Sequence, residues 1–399
     1  REMATEFGSD APHIFSILGT PMPSWALLKV LYQAWRTKGR TWCLDTLRLI
    51  LSSPREFLDE HFESKEVKAL MAAWGMHLDF APDVAGGALF PYLESMASQS
   101  FGMVLGKGGA ATIVRSMTSF LESLGGEIHL SATVIQVNLE ANVATGVKLA
   151  DGRVFNAKRA VIANLAPQAL FGRLVPNAAV PSGFSRRIRS FKYGPGTMMI
   201  HLALSDLPEW RASSALKTFA YVHVAPYLSD MAQAYNDAMN GLLPASPVIV
   251  VGQPSAIDPS RAPDSQHVLW LQVRVLPGKI RGDAGGTISA MDWAGAKEAY
   301  ADRVIEKLTS YAPNLPGTIL DRAIYSPTDL EQDNPNLVGG DNLAGSHHLR
   351  QNFLFRPVLG WSRYRMPIEH LYMVGASTWP GAGTGAGSGQ LLGKMLSQK

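Results

Sequence analysis

Five glycines stand at alternate positions, Gly381, Gly383, Gly385, Gly387 and Gly389, between an apolar run, Leu371 to Val374, and a short helical pattern that continues to Leu396. Bare backbone amides ahead of a helix can approach an anionic or planar ligand closely, and the unsatisfied N–H groups there carry the positive end of the helix dipole. The strand before and the helix after favour an ordered, ligand-contacting loop over a flexible linker. A second cluster, Gly106-Lys107-Gly108-Gly109-Ala110-Ala111, fits G-x-G-x-x-A, with Glu127 about where a ribose-binding acid would stand. Its context argues for a helix-entry turn instead, because Phe101 to Leu105 is a weak strand and Glu127 opens the next strand rather than closing one. No Gly-Lys-Ser/Thr phosphate loop is present.

Other chemistries leave fainter marks. Of the ten histidines, His347 and His348 are adjacent, and neither a helical His-x-x-x-His pair nor His-Glu-x-x-His occurs, so no metal site is expected. G-x-S-x-G is absent, and Ser388 in Gly387-Ser388-Gly389 makes only a partial nucleophile elbow that the glycines explain by themselves. No acid/base pair stands out, so the catalytic residues stay unassigned. His347, His348 and Arg350 could face a substrate, although surface solvation is the favoured reading.

These groups must be positioned by a chain of 399 residues, 46% hydrophobic and 17% charged, a composition that belongs to globular proteins and excludes disordered, collagenous and coiled-coil classes. The net charge of +3 comes from scattered basic residues, with Arg186, Arg187 and Arg189 the tightest group, so no nucleic-acid surface is expected. A single cysteine, Cys43, excludes an intramolecular disulfide and an iron–sulfur cluster and makes a reducing, cytoplasmic setting the default. No apolar stretch approaches the roughly 18 residues needed to span a bilayer. No basic-then-apolar leader opens the chain, which reads as entered midway.

Residues 1–100 show helical periodicity, in Trp25, Leu28, Leu31, Tyr32 and Trp35, then Leu44, Leu47, Ile50 and Leu51, then Val67, Leu70, Met71 and Trp74. Ordinary core packing is the favoured reading of these residues; lining an apolar cavity is the sharper one. Ala110 to Leu124 is a helix closed by Gly125-Gly126. Short strands follow at Glu127 to Leu130, Val134 to Leu139 and Ala144 to Leu149, with an Asp151-Gly152 hairpin returning at Val154, and Arg159 to Asn164 reads as a buried strand. Beyond residue 165, strands at Thr197 to Ala203, Pro247 to Gly252 and His267 to Leu276 mix with a helix at Ala296 to Tyr311, as in a second domain inserted into the first.

Two segments together resemble a known family. They are Gly108-Gly109 through the Gly146-Val147-Lys148-Leu149-Ala150-Asp151-Gly152 hairpin to Ala160-Val161-Ile162-Ala163-Asn164, and Arg356-Pro357-Val358 through Leu371-Tyr372-Met373-Val374-Gly375-Ala376-Ser377-Thr378-Trp379-Pro380-Gly381. They resemble the phytoene-desaturase-like FAD-dependent oxidoreductases, most strongly the branch related to pyridine nucleotide-disulfide oxidoreductase domain-containing protein 2. The resemblance implies an α/β (α+β) chain: a Rossmann-like FAD-binding domain in pieces, with an inserted β-sheet substrate domain and a helical cap. It places a helical cap at 1–100, FAD-binding pieces at 101–164 and 340–399, and the substrate domain at 165–339. It implies FAD contacts from Val134 on the adenosine side and from Gly375, Ala376, Ser377, Pro380, Gly381, Gly383 and Gly385 near the pyrophosphate, ribityl chain and ring. The family's N-terminal strand, G-x-G-x-x-G loop and ribose-binding acid are absent here, which makes the FAD-binding domain incomplete, in a fragment, a chain completed by another polypeptide or a remnant.

The expected activity is removal of hydride from an apolar or allylic C–H bond, with the flavin supplying the chemistry. The rival expectation is a flavin-free remnant that binds apolar ligands or a partner chain, with any hydrolysis incidental. Expected partners are an apolar small-molecule substrate and a second copy or completing polypeptide, with no nucleic acid and no integral membrane segment. The expected location is the cytoplasm, with peripheral membrane contact left open.

Overall fold

Serine hydroxyls set three of the helix starts in the first hundred residues of the computed structural model, which describes residues 2–176, 179–383 and 385–398. After α1 (Glu2–Leu18), Ser24 caps α2 (Trp25–Leu51), Ser53 and Glu56 form a reciprocal capping box at α3 (Pro54–His61), and Ser64 caps α4 (Lys65–Gly75). Each hydroxyl accepts a backbone N–H that the helix cannot satisfy internally. With α5 (Leu89–Phe101) these helices pack Phe7, Phe57, Leu58, Met71, Ala72 and Tyr92 into one apolar core.

The favoured core-packing reading holds at Ile50, which packs against that core, and fails for most of α2. Only Ala34 of that helix is buried, Trp25 is 87% exposed, and Leu28, Leu31, Tyr32, Trp35, Leu44, Leu47 and Leu51 are exposed too. Gly39, at φ +85°, breaks the helix midway, so its apolar residues do not form one face against one neighbour. The cavity reading suits α4 and α5 better: Phe62, Val67, Leu70, Met71, Trp74 and Met96 line a groove of about 340 Å³.

Helix α6 (Ala111–Ser123) forms as its periodicity predicts, yet buries none of its residues. Residues 127–130, expected as a strand, and 102–105, expected as a weak one, have no regular structure. Three strands, β1 (Val134–Glu140), β2 (Val143–Leu149) and β3 (Val154–Asn156), make an antiparallel sheet around the Asp151-Gly152 turn. The next strand, β4 (Val161–Ala163), is only half buried, with Ile162 50% exposed where a buried strand was expected.

The central layer follows α7 (Pro167–Ala169) and α8 (Ser182–Arg189). Here β5 (Gly196–Leu204), β6 (Tyr221–Val224), α9 (Leu228–Met239), β7 (Leu242–Leu243), β8 (Val248–Gly252), β9 (His267–Leu276), β10 (Gly282–Asp283), α10 (Trp293–Thr309), α11 (Leu315–Thr318), β11 (Ile319–Tyr325) and α12 (Pro327–Asp333) succeed one another. Five of the strands form an antiparallel sheet in the order β11-β5-β9-β8-β6. Period-two alternation sends Ile200, Leu202, Ile249, Leu269, Leu271 and Val273 to one face, where they pack with α10. The opposite face carries His201, His223, Gln272 and Arg274, and its end meets the helical layer.

The chain closes with β12 (Leu371–Met373), parallel to β4, and α13 (Gly387–Ser397). Residues 161–163 and 371–373 thereby lie side by side although two hundred residues of chain separate them. Among the described residues, no helix is long and apolar enough to cross a membrane.

Candidate functional site

The loop between β12 and α13 carries Gly375, Ala376, Ser377, Pro380, Gly381, Gly383 and Gly385, with residue 384 outside the described residues. Val134 lies elsewhere, at the start of β1 and opposite Leu149 in the three-stranded sheet. Side chains fix the loop's backbone. The Gly375 N–H donates to Ser388 Oγ (2.9 Å), Thr378 Oγ1 donates to the Gly375 carbonyl (2.8 Å), and Ser377 Oγ donates to the Ala344 carbonyl (2.7 Å). Trp379, 1% exposed, donates from its indole to the Thr20 carbonyl (2.9 Å) and so ties the loop to the helical layer.

Beneath the loop lies a buried polar frame. Arg356, with no exposed surface, donates from Nε and Nη2 to the Ala376 carbonyl (2.9 and 2.7 Å) and from Nη1 to the Ser346 carbonyl (2.8 Å). Burial pushes its guanidinium down to about 10, so it stays charged at neutral pH. Asp341 is equally buried and accepts the N–H groups of Gly194, Leu343 and Gly345 at 2.7–2.8 Å. His347 takes the Ala382 N–H on Nε2 (3.0 Å), and its Nδ1 is buried with no hydrogen-bond partner. Burial, then the charge of Arg356, holds this imidazole well below the ordinary histidine range and therefore neutral. The solvated reading of His347 is thus overturned: the ring is 1% exposed and braces the glycine loop. Arg350 is exposed, as that reading expected.

The glycines hold their places for different reasons. A Cβ on Gly375 (φ +95°) would fall 1.9 Å from Asn164 Oδ1, and one on Gly381 (φ +103°) 2.6 Å from His347 Nε2, so both permit close approach within the protein. A Cβ on Gly383 (φ +76°) or Gly385 (φ +53°) would meet nothing within 4 Å. There the bare backbone faces open space ahead of α13, whose first residues no side chain caps. Bare backbone at Gly383 and Gly385 and uncapped helix N–H groups fit the planar, hydrogen-bonding end of a flavin.

The other glycine cluster behaves as the helix-entry turn expected of it, its Gly108 N–H held by Asp258 Oδ2 (2.7 Å). Ser388 is 5% exposed and its Oγ serves the Gly375 N–H, which explains the hydroxyl without a nucleophile. Among the described residues, no group of three potential ligands could hold a metal ion.

A second constellation, which no motif announces, lies one residue beyond His347. His348 Nε2 is 2.9 Å from the Asp79 carbonyl oxygen and 3.3 Å from Asp79 Oδ2, and the Tyr235 hydroxyl donates to Asp79 Oδ1 (3.0 Å). Burial pushes Asp79 up to about 6, against the pull of His348, Ser346 and Tyr235. Adjacent histidines were the only sequence signal for it; Asp79 and Tyr235 stand alone in the chain.

Comparison with known proteins agrees with this architecture. The family model described as flavin containing amine oxidoreductase matches residues 44–328. Pyridine nucleotide-disulfide oxidoreductase domain-containing protein 2 of Mus musculus is 30% identical over 379 residues, covering 91% of this chain and 63% of the relative. A lycopene-forming phytoene desaturase of a Paracoccus species is 26% identical over 288 residues, covering 71% of this chain and 52% of its own. The chain thus spans less than two thirds of the length of either. In fold it is similar to the crystal structure of an oxidoreductase from Methanosarcina mazei, with a TM-score of 0.55 at 16% identity over 92% of this chain and 71% of that one. These relationships support FAD as the cofactor and a Rossmann-like flavoenzyme fold. With well over half of its length matched, the chain belongs to the flavin containing amine oxidoreductase family.

Proposed function

We propose that the chain is the greater part of an FAD-dependent oxidoreductase that removes hydride from an apolar or allylic C–H bond. The observation that carries this reading is the glycine loop seated on buried Arg356 and His347, which leaves bare backbone at Gly383 and Gly385. When bound, FAD supplies the two-electron acceptor chemistry. Gly375, Ala376, Ser377, Pro380, Gly381, Gly383 and Gly385 would hold it, with Val134 on the adenosine side. In this proposal residues 101–164 and 340–399 form the flavin-binding pieces, 165–339 the substrate domain and 1–100 a helical cap. The 340 Å³ groove lined by Met71, Trp74 and Met96 supports an apolar substrate, as do a relative named phytoene desaturase and another named as part of a limonene dehydrogenase.

The test is a visible absorption spectrum of the purified chain before and after FAD addition and desalting, beside Gly383→Val. Retained flavin bands in the wild type that vanish in the variant are the expected result. A Cβ at 383 meets no protein atom, so it acts through the φ of +76° and the space a ligand would fill. Equal flavin retention by both proteins would remove the loop from the site.

A further inference from the structure

Asp79, Tyr235 and His348 come from three parts of the fold: the turn after α4, helix α9, and the loop that leads to the buried frame under the glycines. The direction of each hydrogen bond follows from chemistry. A carbonyl oxygen only accepts, so His348 Nε2, 2.9 Å from the Asp79 carbonyl, carries a proton and donates it. The same N–H points near Asp79 Oδ2 (3.3 Å) and the Tyr235 oxygen (3.3 Å), while the Tyr235 proton is committed to Asp79 Oδ1. Nδ1 is then the nitrogen that keeps a lone pair.

Exposure points the same way. The Asp79 side chain is 2% exposed and that of His348 31%, so the carboxylate is sealed in the protein while part of the His348 side chain reaches the surface. His348 is linked to the glycine loop through its neighbours. Its neighbour His347 holds the Ala382 N–H, and its ring lies 5.8 Å from that of Phe80, which packs in a small apolar cluster with Leu343 and Ala382. Asp341 also acts on Asp79, and Arg356 and His348 both act on His347.

Forming a C=C bond from two saturated carbons removes a hydride from one carbon and a proton from the next, and the oxidoreductase reading, on which this inference rests, accounts only for the hydride. We propose that His348 is the catalytic base of that dehydrogenation, with Asp79 and Tyr235 as positioning residues that fix its tautomer and stabilise the imidazolium. Nδ1 takes the proton, the electron pair of that C–H bond becomes the new π bond, and the hydride leaving the adjacent carbon reduces the oxidised flavin by two electrons. A buried carboxylate oriented on the far nitrogen of an imidazole is the arrangement that makes a histidine an effective base.

Two measurements on the chain itself test this without activity. In a ¹⁵N-histidine NMR spectrum, with His348 assigned through His348→Gln, Nε2 should be protonated and Nδ1 bare; the reverse tautomer overturns the proposal. Diethyl pyrocarbonate followed by mass spectrometry should acylate His348 along with exposed His129 and His370 while sparing His347; an unmodified His348 beside labelled His129 overturns it. In the FAD-loaded chain with phytoene as probe, His348→Gln should slow flavin bleaching by about 100-fold or more with FAD affinity unchanged. Asp79→Asn and Tyr235→Phe should slow it about 10-fold with thermal midpoint and FAD affinity unchanged. Bleaching of His348→Gln at the wild-type rate overturns the assignment. Failure of the wild-type chain to take up FAD strikes the oxidoreductase reading instead, and the tautomer and acylation results still decide whether His348 presents a bare, reachable nitrogen.

Discussion

Helices α10 and α6 are both amphipathic, yet α10 buries Trp293, Ala296, Tyr300, Ala301, Val304 and Leu308 against the five-stranded sheet, while α6 buries nothing. Ile113, Val114, Met117, Phe120, Leu121 and Leu124 around α6 are all exposed. The two helices differ in what lies opposite. For α10 the alternation of β5, β8 and β9 provides a continuous apolar sheet face, and each side contributes to one core. The apolar face of α6 has no such counter-surface among the described residues, so its periodicity makes a helix without making a core.

The contrast predicts a graded set of effects. Leu271→Ala, in the middle of the sheet core, should lower unfolding free energy by ~3–5 kcal/mol in a urea titration, because the cavity adds to the lost transfer energy. A loss below about 1 kcal/mol would mean that the sheet face is no better packed than α6.

The sheet's other face should show its own signature. Burial, then the nearby Arg274, holds His77 down to about 2 and His223 down to about 4, while Arg274 donates to His77 Nδ1 and the two imidazoles share a 3.0 Å hydrogen bond. The unfolded chain takes up protons on these rings below roughly pH 6.5 and the folded chain does not, so stability falls as pH drops from about 6.5 to about 4. Asp79, raised to about 6, works with the opposite sign between about pH 4 and 6, which makes a variant comparison necessary. His223→Gln should lose on the order of 2–3 kcal/mol less than the wild type between pH 7 and 4. Parallel pH curves would show that the histidine is not kept neutral by the fold.

Gly375→Ala should cost ~1–3 kcal/mol, since its Cβ would collide with Asn164 and the residue sits at positive φ. A neutral result would mean that β4 and β12 can separate at their exits without penalty. At the small end, Phe120→Ala on α6 should change stability by less than about 0.5 kcal/mol, because a side chain 66% exposed leaves little behind. A core-sized loss there would show that the α6 face is covered in solution.

Much of the fold was legible because it follows local rules. The strand at His267 to Leu276, the helix read at Ala296 to Tyr311 and found at Trp293–Thr309, and the hairpin at Asp151-Gly152 depend on period and turn residues that lie side by side in the chain. The glycine loop was legible for the same reason, as one contiguous segment between a strand and a helix. Less visible was the role of His347, whose burial depends on Arg356 and Ala382 meeting it in space. Asp79 and Tyr235 were invisible, because 156 positions separate two residues that share one hydrogen bond.

By itself the sequence determined many of the helices, the hairpin and the main strands of the sheet, and it carried the family pattern in residues 108–164 and 356–383. Those are properties of neighbours along the chain, set by dihedral preference and side-chain period. Only the tertiary structure decided which apolar faces find a partner, which histidine is sealed and which is reachable, and which carboxylate stands behind it. Burial and hydrogen-bond direction depend on groups brought together from distant positions, and those properties make His347 a buried brace and single out His348 as the base we propose.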